Sequence, residues 1–125
     1  MIEIDGPKAL ELLTAAVEEK GADYVYVREN NNCVYVSGSG PSCLVGHALS
    51  RAGVTIDALR LMDAVDNAEQ ATSVDAWYSE GTADFGFALD HYAYLAFDAA
   101  QGCQDSGDPW GRALERAREV LAPED

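Results

Sequence analysis

The sequence predicts a single α+β domain over residues 1–125: a short antiparallel β-hairpin or sheet packed against about five helices. Three observations predict it. Apolar residues recur at helical spacing through most of the chain. Between residues 24 and 36 the period changes from 3.6 to 2. Glycine and proline stand at the joins between these stretches. Hydrophobic residues make up 48% of the chain, enough to form a core without disulfides or a metal.

Residues 1–5 read as a short edge strand or a frayed end. Gly6-Pro7 opens the first helix, which runs to about Lys20 with Leu10, Leu13, Ala16 and Val17 on its core face, and Gly21 stops it. Tyr24–Arg28 and Cys33–Val36 then alternate as two strands, joined by a turn at Glu29-Asn30-Asn31-Asn32. Their tyrosines, Tyr24, Tyr26 and Tyr35, read either as a ligand surface or as half-buried strand residues.

The central stretch is Gly40-Pro41-Ser42-Cys43-Leu44-Val45-Gly46-His47-Ala48-Leu49. Pro41 suits the first position of a helix, with Ser37, Ser39 or Gly40 as its cap and Gly53 as its stop. Leu44, Val45, Ala48, Leu49 and Ala52 share an apolar arc, and Cys43, Gly46, His47 and Ser50 fall opposite. The glycines of Ser37–Gly40 match neither a dinucleotide fingerprint nor a P-loop. Thr55 caps a third helix, with Ile56, Leu59 and Met62 on one face, ending near Asn67.

Residues 67–88 read as a loop with a short strand or helical turn, anchored by Trp77, Tyr78, Phe85 and Phe87. Residues 89–104 form a well-buried helix along Leu89, Tyr92, Ala93, Ala96, Ala100 and Cys103. Asp108 is expected to cap the last helix and Pro109 to open it, with Trp110, Leu114, Ala117 and Leu121 inward.

The net charge is −14 and is unevenly spread. Residues 61–111 hold ten acids and no Lys or Arg, a net of −10. Such a surface repels phosphate, so free nucleic acid is a poor partner and a basic protein surface a better one, including one that normally holds DNA. Asp63, Asp66, Glu69, Asp75, Trp77, Glu80 and Asp84 are the candidate partner-binding residues.

Other chemistry needs Cys or His. Cys43 and His47 are four residues apart and so neighbours on a helix, where a thiolate and a base could cooperate; His91 is a second candidate base. The ordinary alternative is a packed, inert thiol. Cys33, Cys43, His47 and Cys103 have the composition of a Cys3His zinc site without paired-ligand spacing. No GxSxG elbow is present, and no cofactor motif is seen. No apolar run reaches the roughly 20 residues of a membrane span. Met1-Ile2-Glu3-Ile4-Asp5 lacks the basic and apolar regions of a signal peptide, so a cytoplasmic protein is expected.

Cys33-Val34-Tyr35-Val36, then Gly40–Leu49 and Gly53-Val54, resembles small uncharacterised proteins of actinobacteria and actinobacteriophages. Ala100–Gly107 followed by Trp110-Gly111-Arg112-Ala113-Leu114 is similar to their C-terminal pattern. The resemblance does not extend to residues 65–88, and no established activity accompanies it. It implies context: a phage-encoded protein in the host cytoplasm that modulates a host protein by binding it.

Overall fold

The computed structural model describes residues 1–27, 34–38, 40–68, 74, 78 and 82–122, with the backbone alone at 66–68, 83 and 84. The expected α+β class is what the chain adopts: five described helices and two short strand pairs.

The first strand, β1 (Ile2–Ile4), leads through Asp5 into α1 (Gly6–Lys20). The Asp5 carboxylate accepts a hydrogen bond from the Lys8 amide at 2.8 Å, using one of the N–H groups that a helix start leaves unpaired. Gly21, at φ 98°, ends the helix. Ala9, Leu12, Leu13, Ala16 and Val17 are buried, while Leu10 lies at the margin of the core face.

The hairpin differs from the expectation. Tyr24–Val27 is not in a strand, and 28–33 lies outside the described residues. The Tyr24 carbonyl accepts instead from the Trp110 amide, and the Tyr26 hydroxyl meets Ser42 Oγ at 2.8 Å. The antiparallel pair is β2 (Val36–Ser37) with β3 (Gly40–Pro41), in register Val36 to Pro41. Pro41 is therefore a strand residue, not the first residue of a helix. The Ser42 amide donates to the Tyr35 carbonyl and the Cys43 amide to the Val34 carbonyl, which keeps both residues extended. Helix α2 (Leu44–Ala52) begins only after them, capped by Cys43, and ends at Gly53 with φ 105°.

Thr55 caps α3 (Ile56–Ala68) as expected, accepting from the Ala58 amide at 3.1 Å. A single 3-10 turn, Thr82–Phe85, precedes β4 (Phe87–Leu89). This strand pairs in parallel with β1, Ile4 opposite Leu89. Asp90 then caps α4 (His91–Asp105), and α5 (Trp110–Leu121) closes the described chain. Asp108 does not cap α5. Pro109 takes that position, and the Trp110 and Gly111 amides donate to the carbonyls of Tyr24 and Ala22, both at 2.8 Å.

The core lies among α1, α2, α4 and α5. Ala93, Ala96 and Ala100 of α4 and Ala113 and Ala117 of α5 are all fully buried, and these two helices pack closely on each other. Trp110 is fully buried, with its ring against Tyr24 and His47. Truncating it to alanine would cost about 3–5 kcal/mol. Among the described residues, no helix is long and apolar enough to cross a membrane.

Candidate functional site

The central cysteine is a structural cap. Cys43 is fully buried, and its Sγ accepts from the Gly46 amide at 3.4 Å. The next amide, Leu44, donates to Gln104 Oε1 at 2.8 Å. Both bonds satisfy the start of α2. Gly46 comes so close to the hairpin that an added Cβ would stand 3.0 Å from the Tyr35 carbonyl carbon and 3.1 Å from its Cα.

His47 lies one turn further on. Its Nδ1 is 3.7 Å from Glu19 Oε2 of α1, and its ring meets Trp110 edge-on at 5.5 Å. Burial holds the imidazole below its ordinary pKa, and the opposing pull of Glu19 is the weaker influence. Glu19 is shared with Arg51 at 3.0 Å, whose hydrogen bond keeps that carboxylate below its usual range. This makes a neutral histidine packed against an indole. His91 stands exposed at the first position of α4, 6.1 Å from the rings of Tyr92 and Tyr94.

Cys103 lies at the α4–α5 join, in an open cleft of about 360 Å³ lined also by Asp98, Ser106, Asp108, Arg112 and Arg116. Its thiol donates to Asp108 Oδ2 at 3.2 Å. Burial first, and then Asp108, pushes the thiol up to about 11. It is protonated at neutral pH and a poor nucleophile. Arg112 and Arg116 turn to Glu119 at 3.0 and 3.3 Å. Among the described residues, no group of three or more His, Cys, Asp or Glu side chains could hold a metal. Cys33, the fourth expected ligand, lies outside them.

The ten acids of 61–111 do not act as one block. Asp63 is half-buried against the hairpin, where its two oxygens accept from the Tyr35 and Val36 amides at 2.8 and 3.2 Å. Burial raises its pKa, and the two amides oppose that rise. This removes Asp63 from the set free to meet a partner. Asp90 caps α4, Asp105 accepts from Gln101 and Gln104, Asp108 accepts from the Cys103 thiol, and Asp98 lines the same cleft as Arg112 and Arg116. The side chains of Asp66, Glu69, Asp75, Trp77, Glu80 and Asp84 lie outside the described residues.

The polar pair Gln101 and Gln104, 3% and 2% exposed, was not anticipated. Gln104 ties α4 to the first amide of α2 and donates to Asp105 at 3.0 Å. A signal for it existed: Gln104 follows Ala93, Ala96 and Ala100 at helical spacing, on the core face. Comparison of the chain with protein-family models, with curated proteins and with solved structures finds no match.

Proposed function

We propose that the chain is a non-enzymatic, protein-binding module whose acidic segment docks on a basic surface of a host protein, including a surface that normally holds nucleic acid. The observation that carries this reading is the net charge of −10 over residues 61–111, unrelieved by any Lys or Arg. The engagement of Asp63, Asp90, Asp98, Asp105 and Asp108 within the fold narrows the contact set to Asp66, Glu69, Asp75, Glu80 and Asp84, with Trp77 as the aromatic anchor. The chemistry of the cysteines supports binding over catalysis. Cys43 is a buried cap, and the Cys103 thiol is held protonated. The resemblance to phage-encoded proteins supports a host target in the cytoplasm.

The test is capture from host lysate, comparing the chain with a variant carrying Asn or Gln at Asp66, Glu69, Asp75, Glu80 and Asp84. A protein retained at low salt, released at high salt, displaced by DNA and lost with the variant is the expected result. Equal retention by the variant would sink the reading.

A further inference from the structure

Helices α4 and α5 are joined by the short stretch 106–109 and pack closely on each other, so they run as antiparallel neighbours. The lining of the cleft at their join, about 360 Å³, carries charges of both signs. Arg112 and Arg116 lie one turn apart on α5, while Asp98 belongs to α4 and Asp108 to the join. Among the described residues each guanidinium reaches its glutamates through Nη1 alone, Arg112 to Glu115 and Glu119 at 3.4 and 3.0 Å, and Arg116 to Glu119 at 3.3 Å. Nε and Nη2 of both arginines are left to donate. Asp108 accepts the Cys103 thiol through Oδ2. At Gly102 nothing lies within 4 Å of where a Cβ would stand, so that part of the lining is bare backbone.

We propose that this cleft binds a small zwitterion of the α-amino-acid class, its carboxylate on Arg112 and Arg116 and its ammonium on Asp98 and Asp108. The charges select the occupant. These four groups sum to zero on a chain whose net charge is −14. A simple anion would meet two carboxylates and the field of the whole chain, and a simple cation would meet two guanidiniums. A neutral apolar molecule would strip water from four charges and return nothing. A zwitterion answers both signs at once, and a guanidinium presents paired N–H donors to a carboxylate. The volume lies toward the small end of ligand pockets, which suits a molecule of amino-acid size. The site is separate from the 66–84 contact set and does not rest on the protein-binding reading.

The experiment titrates the isotopically labelled full chain at neutral pH with L-leucine, with N-acetyl-L-leucine, which keeps only the carboxylate, and with L-leucinamide, which keeps only the ammonium. L-Leucine should give saturable amide shifts concentrated at residues 98–116, and each half-charged analogue should bind roughly tenfold more weakly or worse. Gly102→Leu extends a side chain into the cleft and should abolish binding while holding or raising the thermal midpoint, because it replaces a glycine inside a helix. Arg116→Gln alters an exposed ion pair and should weaken binding roughly tenfold with the fold retained. Equal binding of either analogue, undiminished binding in Gly102→Leu or Arg116→Gln, or no saturable shift with L-leucine would overturn the proposal.

Discussion

Glycine at position 46 should be indispensable in a way that glycine at position 102 is not, although both lie inside helices. In an open helix, Gly→Ala gains about 1 kcal/mol from helix propensity. At Gly46 the new Cβ would press on the Tyr35 peptide, 3.0 Å from its carbonyl carbon and closer still to its oxygen. That peptide cannot swing away, because Asp63 accepts from its N–H, that of Val36, at 3.2 Å and the Ser42 amide donates to its carbonyl at 2.9 Å. Overpacking of this kind costs about 1–3 kcal/mol, and a pinned backbone neighbour places it at the upper end. Net of propensity, Gly46→Ala should lose about 1–2 kcal/mol and lower the thermal midpoint by about 4–8 °C. At Gly102 nothing lies within 4 Å of an added Cβ, so Gly102→Ala should gain about 0.5–1 kcal/mol. Chemical denaturation of both variants, with m-values unchanged, reads the difference directly. Shifts of the same sign in both would refute the close approach of α2 to the hairpin.

Asp63→Ala should cost about 2–4 kcal/mol, because it strands two amides, one of them on the buried Tyr35; Asp63→Asn should cost less, and denaturation midpoints rank the two. His47 should titrate below its ordinary 6.5. Below that value the unfolded chain takes up a proton that the folded imidazole resists, so stability falls as pH drops through about 6.5 and levels off beneath the folded midpoint. His47→Gln should abolish that component of the pH profile, and a profile identical to wild type would contradict it. In a Cys33→Ser background, iodoacetamide at neutral pH should modify Cys103 slowly and Cys43 only on unfolding; Asp108→Asn should speed the Cys103 reaction, as mass spectrometry would show.

Much of the helical frame was legible because its signals are short-range. The first helix is bounded by Gly6-Pro7 and Gly21, the second ends at Gly53, and the third starts at Thr55, each by a residue acting within one turn of itself. The start of α2 was misplaced by three residues because Pro41 and Ser42 carry good helix-opening chemistry. Hydrogen bonds from the Ser42 and Cys43 amides to the carbonyls of Tyr35 and Val34, across the hairpin, keep that stretch extended. The Tyr24–Val27 alternation likewise suits a strand, but its first carbonyl serves the start of α5.

The same division holds for the candidate sites. The sequence by itself determined the glycine stops of α1 and α2, the buried Ala93, Ala96 and Ala100 of α4, the inward Trp110, Leu114 and Ala117 of α5, and a charge imbalance that no folding can remove. It could not say which acids meet solvent. That depends on partners far along the chain, as with Asp63 and the Tyr35 amide, or Gln104 and the Leu44 amide. Only tertiary structure aligned Ile2–Ile4 with Phe87–Leu89, and with them brought Gly6 against Tyr92. Periodicity records which face of a segment is buried, whereas strand pairing and charge neutralisation are properties of two segments at once, selected by the packing of the whole core.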